Sequence, residues 1–127
     1  MDKNKKRPVY LNLVAIRLPI GGMVSILHRV SGVLLVFALP VSLYALQTAL
    51  SGADGYARVV DAFASWPARL ALLLTLWMLA HHFFAGLRHL LFDLDIGIGR
   101  LPARFLALGV LVATAAVTVA AAWGLFA

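Results

Sequence analysis

Three stretches of the chain are apolar almost throughout and carry no formal charge: Val30 to Leu50, Leu70 to Leu87 and Phe105 to Ala127. Each runs for about 18 to 23 residues, the length at which an α-helix crosses a hydrocarbon layer about 30 Å thick. A closed barrel would also satisfy every backbone group in lipid, but it needs short strands alternating apolar and polar residues, and these stretches do not alternate. The pattern predicts an all-α membrane protein with three transmembrane helices.

The segments between the spans are short and polar. Residues 1–24 read as a basic cytoplasmic segment, with Pro8 and Pro19 opposing a continuous helix. Residues 25–127 read as the three-helix anchor domain, with span one starting in the Ser25 to Arg29 region and losing one helical hydrogen bond at Pro40. The connection from Ser51 to Pro67 contains Gly52, Gly55 and two aspartates, reads as a loop too short to fold alone, and places Trp66 at the outer interface. Span three is rich in Ala, Gly and Thr, which suits close helix packing. Three such helices enclose little core of their own, so a partner within the membrane is expected.

Composition agrees with the pattern: of 127 residues, 63% are apolar and only 13% charged, and glutamate is absent. The net charge of +6 is concentrated beside the spans, which argues for topology rather than for nucleic-acid binding. Lys3, Lys5, Lys6, Arg7, Arg17 and Arg29 precede or open span one, and Arg88, Arg100 and Arg104 lie between spans two and three. The first connection has only Arg58 and, near its end, Arg69. The positive-inside rule therefore places the N-terminus and second connection in the cytoplasm, and the C-terminus on the periplasmic side. Asn12, Arg17 and Pro19 interrupt any signal-peptide core, and no transit peptide is apparent, which points to a bacterial cytoplasmic (inner) membrane. With no cysteine, a redox centre in this chain would have to use histidine.

Ionisable groups within a span are costly and suggest function. Ser25, His28, Arg29 and Gly32 share one helical face near the cytoplasmic end of span one, where Arg29 could donate to an anionic or carbonyl group. The same His–Arg pair would equally serve as an interfacial anchor. His81 and His82 lie deeper, in span two, on the order of 15 Å from the aspartates that follow. A buried histidine can be purely structural, or its neutral imidazole can ligate haem iron. Gly86 stands one turn beyond His82, leaving room for a porphyrin, and His89 completes that face. His28 and His89 lie near the membrane boundary, about 10 Å shallower than His82, and His81 points about 100° away. A second axial ligand is therefore expected from another chain.

Two motifs in these residues resemble a known family. Arg7-Pro8-Val9, Ile16-Arg17-Leu18-Pro19-Ile20 and Ser25-Ile26-Leu27-His28-Arg29-Val30-Ser31-Gly32 look like its first signature. His82-Phe83-Phe84-Ala85-Gly86-Leu87-Arg88-His89, followed by Asp93, is similar to the second. They resemble the cytochrome b556 membrane-anchor subunit of succinate dehydrogenase, respiratory complex II. The resemblance implies one haem b with His82 as axial ligand and the other ligand from a second hydrophobic anchor subunit, so that this chain forms part of a heteromeric anchor bundle. It implies that Ser25 and Arg29 line a ubiquinone site beside an iron–sulfur subunit, which receives electrons from a flavoprotein subunit. It also implies that His28 and Arg29 lie near the haem propionates, with Arg88 and His89 as further propionate or subunit contacts, and that Asp93 could relay protons. Three features depart from the family pattern: the pair Gly21-Gly22, His81 beside the expected ligand as a competing candidate, and the stretch from Asp93 to Gly97. The competing readings are the anchor of a quinol-fumarate reductase and a haem-free transporter or anchor in which His82 and Arg88 form a polar relay.

Overall fold

A computed structural model describes residues 18–127; the basic residues before Leu18, with the motif elements among them, lie outside the described residues. Among the described residues there are four helices and no strand: α1 (Ile20–Ala49), α2 (Ala53–Ala64), α3 (Trp66–Asp93) and α4 (Arg100–Phe126). The three long ones are each apolar enough to cross a membrane. The three expected spans are thus α1, α3 and α4.

Helix α1 begins at Ile20, ahead of the Ser25 to Arg29 region where span one was expected. Pro19 is extended, at φ −64° and ψ 153°, and its carbonyl accepts from Gly22 N–H at 2.8 Å and Met23 N–H at 3.2 Å. A proline has no N–H to lose at a helix start, so the helix begins directly after it. The charge pattern marks the edge of the apolar span, whereas Pro19 marks the edge of the helix. At 30 residues, α1 is about 45 Å long, more than the hydrocarbon layer requires. It continues through Pro40 to Ala49.

The first connection is largely helical, which corrects its reading as a loop. Gly52 turns the chain at φ 128°, and the 12 residues of α2 follow. Tyr56, Val60 and Phe63 recur at the spacing of one helical face. Gly55 is buried where α2 crosses the end of α1, and the position of an added Cβ is taken by the Thr48 carbonyl and Ser51 Oγ. Pro67, in the first turn of α3, favours its start.

Helix α3 ends in a Schellman-type turn. Ile96 N–H reaches the Leu91 carbonyl at 2.9 Å and Asp95 N–H reaches Phe92 at 3.0 Å. Asp95 takes the left-handed position usually given to glycine, at φ 59°. The stretch from Asp93 to Gly97 is therefore a helix stop, with Asp93 as the last helical residue.

The core is small and made of short side chains. Val24 of α1, Ala85 of α3, and Ala107 and Val110 of α4 are buried together, which lets the helices approach closely. At the opposite end, Arg69 donates to the Leu125 carbonyl at 3.2 Å, and Trp66 stacks on Phe126 with ring centroids 4.8 Å apart. Much of the apolar surface, including Val36, Phe37, Val112 and Trp123, remains exposed. Such surface suits lipid or a neighbouring membrane helix.

Candidate functional site: a histidine cluster beside an apolar groove

Packing of α1 against α3 brings three imidazoles together. The His28 and His82 rings stack at 4.2 Å with an interplanar angle of 17°, and His89 lies 5.2 Å from His28 in a tilted arrangement. The expected difference in depth between His28 and His82 is not observed. Counting along each helix fixes depth within that helix only; the level at which two spans cross is set by which small residues meet, here Val24 and Ala85.

His82 Nδ1 lies 3.1 Å from the His28 carbonyl. A carbonyl only accepts, so Nδ1 carries the hydrogen and Nε2 of the neutral ring keeps its lone pair. Ser31, buried at this crossing, donates to the same carbonyl at 2.9 Å and approaches His82 Nδ1 at 3.4 Å. Gly32 supplies the space: a Cβ there would stand 2.9 Å from His82 Cε1 and 3.3 Å from Nδ1. Gly86, expected to make room for a porphyrin, instead faces His28, whose Nε2 would lie 3.6 Å from its added Cβ. The roles of Ser31 and Gly32 toward His82 were missed, because side chains on another helix can be assigned only once the crossing is known.

The partly exposed His82 lines a groove of about 450 Å³ with Gly32, Leu35, Leu39, Ser42, Thr75 and Leu79. Its neighbour His81 is turned inward. It is 0% exposed, its Nε2 lies 3.4 Å from the Val24 carbonyl, and its Nδ1 has no partner among the described residues. The two adjacent histidines thus serve different surroundings.

Ser25 is half-buried and Arg29 exposed, one turn apart on α1. Arg29 borders a shallow apolar recess with Val30, Val33 and Leu34. Asp93 is exposed at the end of α3. Arg88, expected as a propionate or subunit contact, is buried away from the groove that His82 lines; it borders a cleft with Gly21, Arg100 and Arg104. Among the described residues no three His, Asp or Glu side chains converge as a metal site. The histidine cluster therefore sets a partly exposed imidazole, that of His82, beside an apolar groove, with its tautomer set by a backbone carbonyl.

Three membrane-length helices and a histidine held in this way define a multi-pass helical membrane subunit. The chain belongs to the succinate dehydrogenase/fumarate reductase transmembrane subunit family, whose model matches residues 3–122. It is 36% identical over 93 residues to the succinate dehydrogenase cytochrome b556 subunit of Coxiella burnetii, covering 72% of this chain and 74% of that one. It is 32% identical over 98 residues to the protein of the same description from Paracoccus denitrificans, covering 76% and 75%. The chain is therefore a membrane subunit of a multi-subunit complex.

Proposed function

We propose that this chain is the haem b-binding anchor of a succinate dehydrogenase in a bacterial cytoplasmic membrane, and that it contributes to the site of quinone reduction. The observation that carries this reading is the state of His82: Nδ1–H is committed to the His28 carbonyl at 3.1 Å, leaving Nε2 for iron beside an apolar groove. A ligating histidine commonly donates its other ring N–H to a carbonyl or carboxylate, which fixes both tautomer and orientation. The residues fit a haem, with Gly32 giving the imidazole its place and aliphatic side chains forming the groove. Bound there, a haem supplies one-electron transfer at a level the protein tunes. The cytochrome b556 names of the relatives point the same way.

One axial ligand comes from this chain. The faces of His28 and His82 lie against each other, so their nitrogens do not oppose across one iron. His81 is enclosed in the core. A second ligand would come from the second hydrophobic anchor subunit, with His82 and that residue holding a haem at the interface of the two chains. His28, stacked on His82, and His89, beside His28, would contact the haem's polar edge. Ser25 and Arg29 serve ubiquinone: the hydroxyl donates to a carbonyl oxygen, and the guanidinium stabilises the negative charge that develops on reduction. Electrons arrive from the flavoprotein subunit through the iron–sulfur subunit, because a chain with no cysteine holds no thiolate-ligated cluster. Asp93, exposed at the end of α3, relays protons from water to the quinone.

The test is the absorption spectrum of the assembled complex. His82→Leu should abolish the low-spin b-type spectrum or convert it to high-spin, whereas His81→Phe should leave the low-spin band in whatever complex assembles. A low-spin band unchanged in the first variant and lost in the second would reverse the assignment. A complex without haem absorption would favour the haem-free anchor.

A further inference from the structure

We propose that the cleft where the start of α1, the end of α3 and the start of α4 meet binds the phosphate of an anionic phospholipid, with an acyl chain lying in the adjoining groove between α3 and α4. The cleft is about 750 Å³ and is lined by Arg88, Arg100 and Arg104 together with Pro19, Ile20 and Leu101. Among the described residues no carboxylate lines it.

Arg88 makes this more than a basic surface. It is only 7% exposed, and its Nε has no hydrogen-bond partner among the described residues. Its guanidinium sits 4.5 Å from the centre of the Phe92 ring, and a Cβ on Gly21 would come within 3.0 Å of Nη2. A buried guanidinium held in this way calls for an anion, because an unpaired charge is costly to remove from water. Two helix starts border the same cleft. Neither α1 nor α4 has a side-chain cap or an acidic residue in its first turn, so each presents unpaired N–H groups and the positive end of its dipole.

A free phosphate would need the cleft alone. A lipid is favoured because a second, apolar groove starts at the same Arg88 and runs between Phe84, Leu87 and Leu91 of α3 and Phe105, Leu106 and Gly109 of α4. Gly109 leaves it open, since an added Cβ would meet nothing within 4 Å. Arg88 is turned about 120° round α3 from His82, and the site does not depend on haem binding.

The experiment uses the purified complex, with assembly checked by co-purification of its subunits, exchanged into phosphatidylcholine nanodiscs containing a minor fraction of phosphatidylglycerol. Retained lipid is measured by native mass spectrometry. We expect phosphatidylglycerol to be retained in preference to phosphatidylcholine. Arg88→Gln disturbs packing as well as charge, so the exposed pair carries the test: Arg100→Gln with Arg104→Gln should weaken retention about 25-fold, from roughly fivefold per arginine. Gly109→Leu directs a side chain into the apolar groove from a position where an added Cβ meets nothing within 4 Å and should also expel the lipid, and excess inorganic phosphate should not displace it from the parent complex. Displacement by inorganic phosphate together with undiminished lipid retention in Gly109→Leu identifies a free-phosphate site and overturns the lipid assignment. Equal retention of the two lipids, or full retention in the double arginine variant, overturns the anion site itself.

Discussion

Gly32 and Gly86 stand on facing helices, and only Gly32 lies tight against an imidazole. An added methyl at Gly32 would lie 2.9 Å from His82 Cε1, whereas at Gly86 it would meet His28 Nε2 at 3.6 Å, an ordinary contact. Gly32→Ala should therefore displace the imidazole, disturb its bond to the His28 carbonyl and destabilise the site by about 1–3 kcal/mol. Partial loss of the low-spin band in the assembled complex reports it. Gly86→Ala should be neutral or, through the better helix propensity of alanine, stabilising by up to about 1 kcal/mol. The opposite ranking in haem content and thermal midpoint would restore Gly86 as the residue that admits the porphyrin. The quinone proposal rests on Arg29 and Ser25, and its test separates two activities. Arg29→Leu should lower quinone reduction steeply while succinate oxidation by a water-soluble dye, which takes electrons ahead of the membrane site, stays near the parental rate. Ser25→Ala removes a neutral hydrogen bond worth about 0.5–1.5 kcal/mol and should act more mildly. Variants that assemble, retain dye reduction and still reduce quinone normally would make this face an interfacial anchor only.

Helix α2 meets the end of α1 through a close contact that a side chain would destroy. Gly55 lies against the Thr48 carbonyl and Ser51 Oγ, and the carbonyl belongs to the end of α1, so it cannot rotate aside. Gly55→Ala should lift α2 from this corner despite alanine's better helix propensity. We expect amide exchange across residues 53–64 to accelerate about five- to 150-fold, the equivalent of about 1–3 kcal/mol. Unchanged exchange there would mean that other contacts hold the helix. The long helices were legible in the sequence because lipid imposes a severe rule: a charge-free run of spanning length has few other solutions. Helix α2 was not, since Gly52 before it and its own Asp54, Gly55 and Asp61 are also loop residues; the spacing of Tyr56, Val60 and Phe63 was the available signal. His82 was legible as an intramembrane polar group, and its family motif named it directly. The partners that orient it, Ser31 and the His28 carbonyl, were not, because the pattern of one helix does not record its register against another.

The arginines divide the chain into two unlike ends. At one end Arg88, Arg100 and Arg104 gather around a single cleft. At the other, Arg69 is engaged with the Leu125 carbonyl, leaving Arg58, exposed beside Tyr44, Gln47 and Ser51. Basic residues near span ends are retained on the cytoplasmic side during insertion, and the end with more of them sets orientation. The arginine-rich end is therefore expected to face the cytoplasm, the side on which the proposed function has an iron–sulfur subunit meet Ser25 and Arg29. A phosphatase reporter that works only after export should be active when fused after Ala127 and inactive when inserted near Asp95. A reporter that works only in the cytoplasm should give the reverse pair. Spans of odd number place these two sites on opposite sides, so the assays must disagree between sites whichever orientation holds. Which site is exported decides the matter: export of the Asp95 site would put the arginine cleft outside and part the proposed quinone residues from their electron donor.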